Sequence, residues 1–163
     1  MRRTWAQRGQ TPILYHDFRR GHLSVISGLT VSPRRQRLGL VYRAHERSID
    51  GELARAFLRE LLRHLRGPVI VVWDNLGTHK GAALRELCSR QPRLHLEYLP
   101  PYAPDLNPDE GIWNHAKRDL ANGAVCNLNE LWVEVVLALE RTRQSTRRLR
   151  GCFKEAGLPL MLS

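Results

Sequence analysis

Apolar residues alternate or run together in the first third of the chain and predict extended structure. A short apolar run covers residues 11–16, and residues 22–31 alternate, with Ser27 on the otherwise apolar face. Another run covers residues 38–43, after a polar turn containing Pro33. The short turns between these runs predict an antiparallel meander.

Helical periodicity begins at about residue 51. Asp50 can cap this helix, and a large apolar residue recurs every four positions from Leu53 to Leu65, which predicts one buried stripe. The chain then meets Gly67 and Pro68, which stop a helix.

The second half of the chain combines strand and helix patterns. Residues 68–73 form a continuous β-branched run without alternation, which predicts a strand buried on both faces. The other predicted elements are a helix over 80–89, a strand over 94–98, a stiff loop with four prolines over 99–108, and helices over 109–121 and 128–143. A meander, then strand–helix–strand, then helices indicates a mixed α/β domain.

Length and composition fit one folded domain. The chain has 163 residues, of which 42% are hydrophobic, and a formal net charge of +10. Three of its 26 cationic residues are lysines, so 23 are arginines. Guanidinium groups match phosphate oxygens, which favours a polyanionic partner, although charge alone also fits a basic protein that binds no nucleic acid.

Several other classes of protein are disfavoured. The longest purely apolar run, Val69–Trp73, is far too short to span a bilayer, and the basic N-terminus leads into no apolar signal segment. Three widely spaced cysteines argue against a disulfide framework or a zinc knuckle and favour a reducing compartment. The sequence contains neither G-x-x-x-x-G-K nor G-x-G-x-x-G, the glycine-rich motifs that bind nucleotide phosphates. A nucleotide-binding module is therefore the weakest alternative.

Two carboxylates are candidates for chemistry. Asp74 directly follows the predicted buried strand, where loops open onto a crevice, although a turn-forming or helix-capping Asp is the alternative. Glu110 begins the helix after the proline-rich loop, where the helix dipole alone would favour it. Asp109 is its rival, because one residue of helix turns a side chain by about 100°. In a strongly basic chain, such a pair suggests Mg²⁺-dependent phosphoryl chemistry, with two ions about 4 Å apart.

Three strings of residues stand at fixed spacing. They are Trp73-Asp74-Asn75-x-x-x-His79, then Leu99-Pro100-Pro101-Tyr102-Ala103-Pro104-Asp105-Leu106-Asn107-Pro108-x-Glu110-x-x-Trp113 with Lys117 behind it, and Thr4-Trp5-Ala6-x-Arg8-Gly9-Gln10-Thr11-Pro12 near the start. This pattern closely resembles the DDE-type insertion-sequence transposases related to mariner elements, in the bacterial branch numbered six-thirty. The 35 residues between Asp74 and Glu110 match the spacing expected for the family's second and third acidic residues.

The resemblance implies an RNase H-like fold over residues 1–163, as one catalytic domain that cleaves and joins DNA at transposon ends. It implies that Asp74 and Glu110 are catalytic ligands of two Mg²⁺ or Mn²⁺ ions, and that Asn75, His79 and Asn107 line the site. His79 could equally be a structural histidine. The implied partner is DNA in the bacterial cytoplasm, bound at the nucleoid, with a homo-oligomer or an upstream transposase fragment as possible protein partners and no membrane.

Basic side chains are the candidates for holding DNA. Lys117 lies on the same helix face as Glu110 and could contact phosphate, although a solvated lysine is the alternative, and Trp113 is expected to be core. Non-specific phosphate attraction is expected from Arg34, Arg35 and Arg37. A second basic cluster, for which an exposed polar helix face is the alternative, comprises Arg141, Arg143, Arg147, Arg148 and Arg150.

The chain departs from the family pattern at its start. The family's first catalytic Asp lies on a strand upstream of the segment that begins here at Thr4, so this strand and its Asp are expected to be missing, as are the upstream helix-turn-helix modules. Asp17 reads better as a turn residue than as a substitute. Losing a central strand would leave a marginal domain, or one that borrows a strand. A catalytically inactive remnant that only binds DNA, or associates with intact transposase, is therefore the alternative function.

Overall fold

An antiparallel strand pair opens the described part of the chain. The computed structural model describes residues 23–32, 37–74, 81–121, 125, 127–158 and 160. Strands β1 (Ser24–Ser32) and β2 (Arg37–His45) pair along their whole length, with Ser27 opposite Tyr42. This pair confirms two strands of the predicted meander, and the strand predicted over residues 11–16 lies outside the described residues.

Helix α1 (Gly51–His64) begins where the sequence predicts it. The Asp50 carboxylate accepts a hydrogen bond from the Leu53 backbone N–H at 2.8 Å and so satisfies one of the free donors of the first turn. Phe57 of the predicted stripe is buried, but the other buried residues, Ala54, Leu58 and Leu62, each lie one position away from the predicted ones. Leu53, Leu61 and Leu65 lie at the margin of this face and are only partly buried.

A parallel pair of strands follows α1. Strand β3 (Val69–Trp73), helix α2 (Ala82–Arg90) and strand β4 (Leu94–Tyr98) form a β–α–β unit in which Trp73 is paired with Tyr98. The prediction that β3 is buried on both faces is wrong, since Ile70 and Val72 are 68% and 59% exposed. Only the face that carries Val69, Val71 and Trp73 packs against the core under α1 and α2.

Three helices complete the described fold. They are α3 (Asp109–Leu120), α4 (Leu128–Arg143) and α5 (Thr146–Glu155). The first two were predicted from their patterns, whereas α5 was not. The Ser145 side chain caps α5 by accepting a hydrogen bond from the Arg148 backbone N–H at 3.3 Å. Its buried residues Leu149, Cys152 and Phe153 face α3 and α4.

The helices form two layers around the strands. One core lies between α1, α2 and the inner faces of all four strands, and includes Ile26, Leu58 and Leu94. A second core lies between the opposite face of β1 and β2 and helices α3, α4 and α5, and includes Leu40 and Ile112. This arrangement confirms the predicted mixed α/β fold. It also explains the exposure of β3, because α3, α4 and α5 contact the antiparallel pair.

The strands of the described residues belong to two separate sheets. β1 pairs with β2 and β3 pairs with β4, and these two sheets exchange no ladder hydrogen bonds in the described ranges. Both sheets nevertheless contribute to the core under α1. In the same part of the chain, no helix is long and apolar enough to cross a membrane.

Arg93 holds the C-terminal end of α1 and is expected to contribute to stability. Its guanidinium donates hydrogen bonds to the carbonyl oxygens of Leu62, Leu65 (2.7 Å) and Gly67 (3.1 Å). We expect Arg93→Ala to lower the free energy of unfolding by about 1–2 kcal/mol, because hydrogen bonds from a charged donor are lost where water only partly replaces them. Urea denaturation followed by circular dichroism measures this loss.

The matched control for Arg93 is Arg90 on α2. Arg90 forms an exposed ion pair with Glu86 at 2.9 Å, and such pairs contribute little. Arg90→Ala should therefore change the free energy of unfolding by less than about 0.5 kcal/mol. Equal losses for the two variants would show that the hydrogen bonds to α1 are not what stabilises this end of the helix.

Tyr42 is expected to ionise late. Its hydroxyl donates a hydrogen bond to the Glu140 carboxylate at 2.5 Å, joining β2 to α4. Burial, with the hydrogen bond and negative charge of Glu140, raises the pKa of Tyr42 to about 12. The stability contributed by the neutral phenol is complete below the ordinary pKa of 10.0 and is lost as the pH rises to about 12. Spectrophotometric titration should show one late-ionising tyrosine that Tyr42→Phe removes. An unchanged titration curve would contradict the assignment.

Candidate active site

Asp74 lies at the edge where the two parallel strands end. It follows β3 directly and is partly buried. Leu99, the residue after β4, donates a backbone hydrogen bond to the Trp73 carbonyl at 2.7 Å. The carboxyl ends of β3 and β4 are thus fixed beside each other, at the position where α/β sheets place their ligands.

The proline-rich loop carries the chain from this edge to α3. It contains one short 3₁₀ helix, Pro104–Leu106, after which the Asn107 backbone N–H donates to the Pro104 carbonyl at 2.9 Å. The Asn107 side-chain oxygen accepts a hydrogen bond from the Asp109 backbone N–H at 3.1 Å. The Asn107 backbone carbonyl accepts one from the Glu110 backbone N–H, also at 3.1 Å. Asn107 therefore fixes the first turn of α3, and its predicted role in lining the site stays a prediction.

The two adjacent acids of α3 have different environments. Glu110 is exposed at the surface. Asp109 turns inward, where its Oδ2 accepts a hydrogen bond from the Ser27 hydroxyl of β1 at 2.6 Å. Its Oδ1 is buried and has no hydrogen-bond donor among the described residues. The two side chains thus point in different directions, Asp109 towards the strands and Glu110 towards solvent, and which of them binds a metal stays a prediction.

Electrostatics link Asp109 to both predicted ligands. Burial raises the pKa of the Asp109 carboxyl, the Ser27 hydrogen bond and the polar group of the nearby Trp113 side chain lower it, and the negative charges of Glu110 and Asp74 raise it further. The net shift is upward. Asp74 and Glu110 therefore both lie close enough to Asp109 for their charges to act on it, although 35 residues separate them in sequence.

The donor set suits a hard divalent cation. Carboxylate oxygens are the ligands that Mg²⁺ takes from proteins. The buried Oδ1 of Asp109, which has no donor among the described residues, can accept one more hydrogen bond. Within the described ranges, no three His, Cys, Asp or Glu side chains converge closely enough to hold an ion directly. Mg²⁺ takes only one or two carboxylates from a protein and keeps several waters, so a site with fewer than three protein ligands is compatible with it.

The predicted DNA-contacting residues are spread over the surface. Lys117 is exposed on α3, two turns after Glu110, and Trp113 on the same face is half-buried. Arg37 is exposed at the start of β2, opposite Ser32 and about 17 Å along the strand from the position of Ser27. Asn75, His79, Arg34, Arg35 and Asp17 lie outside the described residues.

The second arginine cluster is partly committed to the fold. Arg148 pairs with Asp119 at 2.8 Å and tethers α5 to α3, and Arg143 pairs with Glu140 at 2.9 Å on α4. Arg141, Arg147 and Arg150 are exposed. The cluster thus combines two arginines that form ion pairs within the fold with three arginines that lie exposed on helix surfaces.

Ser27 is the contact that sequence reasoning missed. Its hydroxyl is the group on β1 that reaches the first turn of α3. The available signal was a polar residue on a face otherwise made of Leu23, Val25 and Leu29, which pack against the helices.

Comparison with known proteins places the chain in a family. The profile described as DDE superfamily endonuclease matches residues 1–131. The chain belongs to this family. Membership confirms the DDE family to which the motif strings show a resemblance. A solved structure similar to this DDE chain is the catalytic domain of Mos1 mariner transposase, with 16% sequence identity, a TM-score of 0.47, and coverage of 89% of this chain and 84% of that one. The comparison with curated proteins gives no match.

Proposed function

We propose that the chain is the C-terminal portion of a transposase catalytic domain that cleaves and joins DNA at transposon ends with divalent metal ions. One observation carries the proposal: Asp74 directly follows β3 at the edge where β3 and β4 end side by side, and the proline-rich loop leads from β4 to Glu110 in the first turn of α3. Two carboxylates on separate elements suit a divalent cation that takes only one or two such ligands from the protein.

The proposed roles follow from where each side chain lies. Asp74 and Glu110 would hold Mg²⁺ or Mn²⁺, two ions in the complete domain, and Asn107 would orient Glu110 by fixing the start of α3. When bound, such ions activate a water or 3′-hydroxyl and stabilise the leaving oxygen of an in-line displacement. Asn75 and His79 are proposed to line the same site, because both follow Asp74 closely in sequence.

DNA is the proposed substrate and partner. The net charge of +10 attracts a polyanion, and the exposed side chains of Lys117 and Arg37 are available for phosphate contacts. Arg34 and Arg35, next to Arg37 in sequence, are assigned the same role. These contacts would fix the backbone without reading bases, so sequence recognition is assigned to another part of the transposase. The proposed place of action is the nucleoid in the bacterial cytoplasm.

A further strand is proposed to complete the sheet between β1 and β3. Those two strands belong to different sheets in the described residues, yet both pack under α1. A strand between them would supply the ladder hydrogen bonds that join the sheets and would carry the family's first Asp beside Asp74. An upstream polypeptide, or a second copy in an oligomer, is the proposed source.

Nicking of supercoiled plasmid tests the proposed activity. The chain is assayed alone and together with the polypeptide encoded immediately upstream, with Mg²⁺, with Mn²⁺ and with EDTA. We expect metal-dependent nicking in the completed protein and little or none in the chain alone. Gel-shift binding without nicking in either preparation would reject the enzyme and favour a remnant that only binds DNA.

A further inference from the structure

The Asp109 carboxylate has one satisfied and one unsatisfied oxygen. Oδ2 accepts the Ser27 hydroxyl hydrogen at 2.6 Å, whereas Oδ1 is buried and forms a hydrogen bond with no donor among the described residues, the nearby Trp113 side chain included. A buried acceptor without a donor destabilises the folded state, and more so if it carries charge. Its retention at the first position of α3, next to Glu110, therefore calls for a physical reason.

The charges around Asp109 make the unsatisfied oxygen more costly. The neighbouring carboxylates of Glu110 and Asp74 are close enough for their negative charges to act on it. None of the ion pairs formed within the described part of the chain includes Asp109. The described residues thus leave Asp109 without a cationic partner in a chain of net charge +10.

A purely structural role accounts for only half of this geometry. A carboxylate in the first turn of a helix is favoured by the helix dipole, and the Ser27 hydrogen bond ties α3 to β1. Both effects would be served by Oδ2 alone. Neither provides a donor for Oδ1, and neither explains why a second and a third carboxylate lie nearby.

We propose that Asp109 is a positioning residue for the metal site, whose Oδ1 accepts a hydrogen bond from a water bound to the divalent cation held by Asp74 and Glu110. The inference rests on the proposed function of that site. A cation-bound water is a strong donor, and Mg²⁺ keeps several such waters when it has one or two carboxylate ligands.

Mn²⁺ binding to the full chain tests the proposal, with the ion alone as the probe and electron paramagnetic resonance of free Mn²⁺ as the readout. Asp109→Asn keeps the size of the side chain and an acceptor for Ser27, but replaces the other oxygen by an amide donor. We expect it to weaken Mn²⁺ binding about 10-fold or more, the range typical of an outer hydrogen-bond partner of a metal site. Glu134→Gln on α4 makes the same change in net charge and should leave the affinity unchanged.

A second variant separates metal positioning from helix anchoring. Ser27→Ala removes the hydrogen bond to Oδ2 but leaves the Asp109 charge and Oδ1 in place. We therefore expect its Mn²⁺ affinity to change by less than about 3-fold, a smaller effect than that of Asp109→Asn. Thermal melting of the metal-free proteins is measured in parallel. If Asp109→Asn melts at a lower temperature, the Mn²⁺ titration is run well below its melting point, and Mn²⁺ binding is still expected to be about 10-fold weaker or more.

The outcomes distinguish the two proposals. Wild-type affinity in Asp109→Asn, with loss of binding in Asp74→Asn, would overturn the role of Asp109 and leave the metal site standing. A loss in Ser27→Ala as large as in Asp109→Asn would also overturn it, since anchoring of α3 would then suffice. Absence of saturable Mn²⁺ binding both by the unaltered chain and by the completed protein would overturn both proposals.

Discussion

Asp74→Asn is expected to reduce metal-dependent DNA nicking by the completed protein about 100-fold or more, because a ligand that contributes several kcal/mol of transition-state stabilisation is removed. The side chain keeps its shape, and the backbone next to it is held by the hydrogen bond from Leu99 to Trp73. Stability should therefore change little while activity falls. Plasmid nicking and thermal melting of the same preparations measure the two quantities.

Asp50→Asn is the matched control for Asp74→Asn. Asp50 loses the same charge at the start of α1, and asparagine caps a helix about as well as aspartate, so the fold is kept. We expect nicking by this variant to stay close to that of the unaltered protein. If Asp74→Asn nicks DNA as fast as Asp50→Asn, the proposed metal ligand is wrong, whatever the family of the chain.

The sequence predicted helices and strands correctly where their formation depends on residues within the same helix or strand. Asp50 caps α1, and the β-branched run forms β3, because capping and strand formation depend on neighbours in sequence. The number of faces that β3 buries depends instead on which helices pack beneath it. Continuous apolar residues do not encode that choice, and the structure places α3, α4 and α5 against β1 and β2.

Helix α5 shows a signal that was present and overlooked. Ser145 is a typical cap, and Leu149, Cys152, Phe153 and Ala156 follow at helical spacing. The arginines between them give the segment a polar character that hides its periodicity. Their long side chains point outward, except for Arg148, which pairs with Asp119.

The family could be predicted from the sequence, whereas the geometry of the candidate site could not. The motif strings around Asp74 and Glu110 resemble the family, and the family profile confirmed that resemblance. Which of Asp109 and Glu110 turns inward depends on the rotation of α3, which Ser27, 82 residues earlier, helps to set. A contact over such a distance leaves no periodic trace in a single sequence.

Gly111 controls how closely α3 approaches α5 beside Glu110. A Cβ atom at this position would lie 2.9 Å from both Cβ and Sγ of Cys152 and 3.0 Å from its Cα. These distances are shorter than real contacts, and the Cα belongs to the backbone, so a rotamer change cannot relieve the clash. The two helices must separate if any side chain replaces the glycine.

Gly111→Ala is therefore expected to lower the free energy of unfolding by about 1–3 kcal/mol, the usual cost of overpacking a core. Displacing the first turn of α3 by about 1 Å should also reduce nicking about 100-fold, because Glu110 is the preceding residue. Gly151→Ala on α5 is the matched control. Its Cβ would meet no atom within 4 Å, so the same substitution should raise stability by about 0.5–1 kcal/mol through helix propensity.

The opposite signs of these two substitutions make the cause testable. Both replace a helical glycine by alanine, so propensity favours both, and only the contact with Cys152 separates them. Combining Gly111→Ala with Cys152→Gly removes the Cβ and Sγ contacts, and the double mutant should show a favourable coupling of at least about 0.5 kcal/mol in urea denaturation. Additive losses would mean that the close approach of α3 and α5 is not what positions Glu110, and the expected loss of nicking in Gly111→Ala would lose its basis.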